Sequence, residues 1–146
     1  MKQYFITSAQ ECDRLEILGI LKKYKGDQKD IDIESFRIVK IDKRIVGCIR
    51  IKKLKDCFEL ASLVVLPEYS GQGIGSKLIQ EMLKTNDSDI YLLCSSENKD
   101  FYCKNMFYPI DPSALPVSLK EEYHRITKLD FTKGIKVVTM VRHANL

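Results

Sequence analysis

Three glycines at alternate positions, Gly71, Gly73 and Gly75, follow a strand-like run and a proline within ELASLVVLPEYSGQGIGSKLIQEML, residues 59–83. Glycine lets the backbone take left-handed turns and lets N–H groups approach a ligand closely, and the start of the following helix leaves N–H donors unpaired beside partial positive charge. The chemistry this suits is the holding of an anion, above all a phosphate. The bland reading is that the glycines serve only a tight turn. The loop lacks the last Gly at dinucleotide-fold spacing, and no Gly-Lys-[Ser/Thr] follows it, so neither of those nucleotide motifs is present.

Other reactive side chains are sparse. The five cysteines, Cys12, Cys48, Cys57, Cys94 and Cys103, form no CxxC pair and mostly sit in apolar runs, which points to reduced thiols acting as small hydrophobes. Cys94 and Cys103 have no histidine in local reach that would make either a nucleophile, and both are expected to pack. His124 and His143 lack ligand spacing, so no metal is expected.

The elements that must carry these residues follow from periodicity. A short strand is expected over residues 4–7. A helix then starts near Ser8 as N-cap and stops at Gly26, with Leu15, Leu18, Ile20 and Leu21 apolar. A charged loop spans residues 26–34. Residues 36–41 and 44–53 are β-rich runs around Asp42-Lys43, which suits a tight hairpin, and a third antiparallel strand follows from Cys57 to Leu66. Residues 74–83 carry Ile74, Leu78, Ile79, Met82 and Leu83 on one helical face. The apolar run at 90–94, IYLLC, reads as a buried strand parallel to the one before the glycines. Helix 98–105 with Ser95 or Ser96 as cap, strand 107–110, loop 112–116, helix 118–126 and strand 135–141 complete a single α+β domain over residues 1–146.

Composition narrows the class. A chain of 146 residues, 45% hydrophobic and 30% charged, can bury one ordinary core. Nothing at the N-terminus reads as a signal peptide, and no apolar run suggests a membrane span, so a soluble cytoplasmic protein is expected with no membrane partner. The formal net charge of +4 is mild, and clusters such as Lys52, Lys53 and Lys55 read as solvated faces. No nucleic acid partner is expected, and a small polyanion suits the field better.

Two segments resemble the GCN5-related N-acetyltransferase (GNAT) superfamily. VVLPEYSGQGIGSKL, residues 64–78, is close to that family's V-x-P-x-x-[Q/R]-x-x-G-x-[G/A] signature, and DFYCKNMF, residues 100–107, is close to its FYxKxGF segment. The order of elements agrees from end to end. The resemblance implies a mixed α/β, GNAT-like fold. Its central sheet is twisted, mixed and largely antiparallel, with six or seven strands, about four helices and a splayed parallel strand pair that holds coenzyme A.

By this likeness acetyl-CoA is the co-substrate. Leu63, Val64 and Val65 would offer backbone groups to its pantetheine arm, and the amides of Gly71, Gln72, Gly73, Ile74, Gly75 and Ser76 would hold its pyrophosphate. Tyr102, on the FYxK position, is implied as the acid that protonates the departing thiolate. Glu59 matches the general base of histone-type members, and alternation would place it on one strand face with Ala61, Leu63 and Val65. The sequence departs from the family at three places. Ser70 replaces Gln or Arg, Met106 replaces a glycine, and Ser95 replaces an asparagine for which Asn98 is the nearest substitute.

The activity this implies is transfer of an acetyl group from acetyl-CoA to a primary amine of a small molecule by direct attack on the thioester, in a monomer or homodimer. Acetylation of a protein or peptide amine is one alternative. A non-catalytic acyl-CoA-binding sensor is the other.

Overall fold

The computed structural model describes residues 4–130 and 136–144. Its strands are β1 (Ile6–Ser8), β2 (Phe36–Ile41), β3 (Arg44–Lys53), β4 (Phe58–Val65), β5 (Ile90–Ser95), β6 (Tyr108–Pro109) and β7 (Val137–Arg142). Its helices are α1 (Arg14–Lys23), α2 (Ile74–Lys84), α3 (Lys99–Lys104) and α4 (Val117–Asp130). The strands form one seven-stranded sheet in the order β1-β2-β3-β4-β5-β7-β6. β4 and β5 pair in parallel, while β1–β2, β2–β3, β5–β7 and β6–β7 are antiparallel. This is the mixed, largely antiparallel α+β architecture expected, with four α-helices among the described residues.

The chain gathers into two compact units. One comprises the chain up to Lys52 together with Leu60–Asn86, the other Lys53–Glu59 together with the chain from Asp87 onward.

In the first unit, β2 and β3 are joined through Asp42 and Lys43 with φ of 52° and 65°, the paired left-handed conformation of the hairpin turn that matches strand twist. The helix does not start at Ser8, which ends β1. A short helical turn, Glu11–Asp13, precedes α1, and the buried Asp13 carboxylate accepts from Gln10 N–H at 2.8 Å. At the other end Gly26 N–H donates to the Leu21 carbonyl at 2.8 Å, but the left-handed residue is Lys25, at φ 59°. α2 packs on β3 at Gly47, where an added Cβ would lie 3.1 Å from Ile74 Cγ2 and 3.2 Å from Leu78 Cδ1. Any larger residue there would push the glycine-loop helix off its seat.

β4 is not a regular strand. Ser62, inside it, has φ 59°, a left-handed residue that interrupts the pleat. The strict alternation expected from Glu59 through Ala61, Leu63 and Val65 therefore breaks at Ser62, and Glu59 to Ser62 are buried without a gap.

In the second unit β5 and β7 pair over six positions from Ile90↔Arg142 to Ser95↔Val137. β6 is short because Pro109 removes a donor and leaves only two residues against β7. The final strand ends one residue later than expected, and Ile135, its expected start, lies outside the described residues. α4 is longer than its expected 118–126, and its Ser118 N–H donates to the Asp56 carboxylate at 3.2 Å, which satisfies a free amide of the first turn.

Candidate active site

The glycine loop has the backbone its sequence demands. After a helical turn at Pro67–Tyr69, Gly71 and Gly73 take φ of 75° and 82°, and Gly73 stands as the left-handed N-cap of α2. A Cβ at either glycine would meet nothing within 4 Å, so conformation and not crowding within the protein requires glycine there. Gly75 differs: it lies within the first turn of α2. Lys77 N–H bonds to the Gly73 carbonyl at 3.0 Å, so Ile74, Gly75 and Ser76 make up the first turn of α2, the end of a helix that presents N–H groups and partial positive charge. Those amides and the helix dipole together suit a phosphate group.

The loop side chains are tied locally. Ser70, which stands where the family signature has Gln or Arg, turns its hydroxyl to donate to the Pro67 carbonyl at 2.8 Å. Gln72 accepts a short hydrogen bond from the Tyr4 hydroxyl through its side-chain oxygen. Leu63, Val64 and Val65 form the end of β4 after the Ser62 irregularity. Leu63, Val64, Val65, Gly71, Gln72, Gly73, Ile74, Gly75 and Ser76 thus lie in one continuous stretch of the first unit.

Glu59, Asn98 and Tyr102 belong to the second unit. Glu59 is 7% exposed and pairs in register with Tyr91 of β5. Asn98 ends a short helical turn, Ser96–Asn98, and is exposed; Ser95 serves as its N-cap by accepting from Glu97 N–H at 3.2 Å. Tyr102 is buried in α3, with its ring edge-on to Phe101 at 5.1 Å and to Phe107 at 6.0 Å. Burial first, and then the nearby Cys94 once it ionises at alkaline pH, holds its hydroxyl well above the usual phenol range. A phenol so placed keeps its proton throughout the physiological range and can act as a donor.

The cysteines separate. Cys94 is half-buried, its thiol 3.9 Å from Met140 Sδ, and burial pushes that thiol up to about 11, so it is not a thiolate near neutrality. Cys103 does not pack as expected: it is exposed, one residue round α3 from the buried Tyr102. All five cysteines are free. Among the described residues no three His, Cys, Asp or Glu side chains come together as a metal site, and no helix is long and apolar enough to cross a membrane.

One buried cluster escaped the sequence reading. Arg50 is 1% exposed, and its guanidinium donates to the Ser62 hydroxyl at 2.8 Å and to the carbonyls of Lys29 at 2.8 Å, Asp30 at 3.0 Å and Asp27 at 3.3 Å. It also lies 3.4 Å from the Asp27 carboxylate and 5.3 Å from the Phe36 ring centroid. The signal was a single charged residue inside the apolar strand RIVGCIRI. A lone arginine in such a run must find several acceptors when buried, because its desolvation is otherwise uncompensated.

The comparisons with known proteins agree with this geometry. A curated amino-acid acetyltransferase of Buchnera aphidicola (subsp. Acyrthosiphon pisum, strain APS) is 26% identical over 130 residues, covering 85% of this chain and 28% of the relative. The chain thus spans little more than a quarter of that relative's length. An N-acetylglutamate synthase from Neisseria gonorrhoeae, solved with coenzyme A and N-acetyl-glutamate, superposes with a TM-score of 0.77 at 20% identity, over 100% of this chain and 36% of that one. A GNAT-family acetyltransferase from Staphylococcus aureus Mu50 superposes with a TM-score of 0.73 at 20% identity, over 98% of this chain and 100% of that one. The acetyltransferase (GNAT) domain family matches residues 32–109, more than half of the chain and the whole stretch from the hairpin through the glycine loop to Tyr102, and the chain belongs to that family.

Proposed function

We propose that this chain is an acetyl-CoA-dependent N-acetyltransferase whose acceptor is the primary amine of a small, amino-acid-like molecule. The observation that carries the reading is the left-handed pair Gly71 and Gly73 set directly ahead of α2, a backbone built for a diphosphate within a family of acetyltransferases. The amides of residues 71–76 take the pyrophosphate of the donor, and the backbone of Leu63, Val64 and Val65 takes its pantetheine arm. Asn98 stands ready as a further polar contact.

The chemistry follows from the groups needed. An alkyl ammonium is about one part in a thousand neutral at pH 7, so a proton must leave before attack. Glu59, buried at the start of β4, takes that proton. The amine nitrogen then bonds to the thioester carbonyl carbon, the C–S bond breaks, the thiolate takes a proton from the Tyr102 hydroxyl, and the second proton lost by the nitrogen as the amide forms restores that hydroxyl by way of solvent. The products are an N-acetyl amide and free coenzyme A.

The amino-acid-like acceptor is supported by the relatives, which are named amino-acid acetyltransferases, and by the N-acetyl-glutamate bound in the Neisseria neighbour. The test is thiol release from acetyl-CoA over a panel of amino acids, simple amines and peptides. Turnover on free amino acids with none on peptides supports the reading. Turnover only on a peptide or protein amine replaces the acceptor class, and calorimetric binding of acetyl-CoA with no turnover on any amine replaces the enzyme by a sensor.

A further inference from the structure

Within the second unit a cleft of about 630 Å³ opens beside the turn that links β3 to β4. Its size lies within the range of small-molecule sites, about 300–1,000 Å³. Its apolar surfaces are Cys57, Phe58, Tyr91 and Pro116, and Lys53 and Lys55 also line it. Neither lysine makes an ion pair among the described residues.

The two acids of the cleft are otherwise engaged. Asp56 accepts from Ser118 N–H at 3.2 Å, and Asp89 accepts from Ala144 N–H at 2.8 Å and lies 3.2 Å from His143 Nδ1. Their oxygens tie the walls to α4 and to the end of β7, so the lysine ammoniums are the cleft's uncommitted charges. Glu59 is not itself in the lining, but two wall residues adjoin it. Tyr91, in the wall, is the register partner of Glu59, and Cys57 precedes Glu59 by two residues in the chain. The Cys57 thiol is pushed up to about 11 by burial first, then by Asp56, with the Glu59 charge adding, so the Glu59 carboxylate acts electrostatically on this wall.

We infer that this cleft is the acceptor site, and that Lys53 and Lys55 select acceptors bearing a carboxylate while the acceptor's amine faces Glu59. The inference rests on the proposed function and narrows its acceptor to a zwitterion or an anionic amine. An ammonium-to-carboxylate bond is charge-assisted and roughly twice as strong as a neutral one, and it discriminates against an amide of the same shape.

The experiment compares L-glutamate, L-leucine and L-lysine, each beside its α-amide, on the whole chain with acetyl-CoA. Lys53→Met, Lys55→Met and the double variant are measured against Lys22→Met, an exposed lysine of α1. The double variant should lose at least tenfold in kcat/KM on the preferred acid, through KM, with the amide unchanged and Lys22→Met without effect. Equal loss on acid and amide, or no loss, overturns the inference while leaving amine acetylation standing. An NMR titration with the same pairs reads the cleft without turnover. Shifts at the amides of residues 53–58 and Tyr91 with the acid and not its amide support the inference, and shifts elsewhere or none overturn it.

Discussion

The Ser62 hydroxyl accepts from Arg50 Nε at 2.8 Å and donates to the Asp27 carbonyl at 2.7 Å, so one side chain joins the irregular middle of β4 to the charged loop after α1. Ser62 holds φ 59° to do so, a conformation that costs a residue with a Cβ about 1–2 kcal/mol. Ser62→Ala keeps that strain and loses both bonds, so it should cost about 1–3 kcal/mol. Ser62→Gly loses the same bonds but sheds the strain, and should be the more stable of the two. Arg50→Met leaves three loop carbonyls without their donor and the Asp27 carboxylate with Lys52 alone, at 3.0 Å, and should cost about 3–5 kcal/mol. Urea midpoints for the three variants check the order, and an alanine variant as stable as the glycine one would remove the strain argument.

Met106 is the second strained position, and it sits where the related FYxKxGF segment has glycine. Its φ is 71°, while the neighbouring Asn105 has φ −100°, so the left-handed residue is the methionine and not the asparagine. The side chain is 54% exposed and contributes little packing. Met106→Gly should therefore stabilise the fold by about 1 kcal/mol, seen as a rise in Tm of roughly 2–4 °C.

These two residues mark where the sequence was legible and where it was not. The hairpin at Asp42-Lys43 and the glycine loop were readable because short-range turn chemistry decides them, and the structure puts β2 and β3 at the expected residues. The replacement of a glycine by Met106 was legible, but whether the left-handed residue falls there or at Asn105 depends on the path the chain takes from α3 into β6. Ser62 gave no sign, since serine has no marked left-handed preference and the conformation is held by Arg50 and Asp27, residues 12 and 35 positions away. Lys53 and Lys55 looked like part of a solvated cluster because the cleft they line is assembled from a turn, the start of β5 and the chain after β7.

Asp13 supplies an acid limb to stability. The Lys40 ammonium, at 2.9 Å, and next the Gln10 N–H hold its carboxyl below the usual carboxylate range. A group whose folded pKa is depressed contributes stability that is complete above its unfolded value, about 3.9, and is lost as pH falls through the folded value. The Asp13 side chain is 7% exposed although Lys40 is 42% exposed, so the local contacts and not the distant solvent set the effect. Asp13→Asn should be less stable than the parent at pH 7, and the gap should narrow as pH is lowered from 4 to 2. Urea unfolding at these pH values is the measurement, and a gap that stays constant would mean the ionised form is not what the fold favours.

Tyr102→Phe isolates the proposed acid. The ring sits edge-on to Phe101 and Phe107, and phenylalanine fills the same space, so Tm should be unchanged and acetyl-CoA binding by calorimetry should be preserved. Loss of a positioned proton donor lowers turnover by roughly 10²-fold or more. Because burial holds the hydroxyl above the ordinary phenol range, its proton is not lost on the alkaline side below about pH 10, and the parent's rate should show no falling limb from this group between pH 7 and 9. Measured kcat across that range for parent and variant separates two roles. A phenylalanine variant with unchanged kcat would leave Tyr102 as a packing residue, whereas a fall in kcat at constant Tm and constant donor affinity places its hydroxyl in the proton transfer that releases coenzyme A.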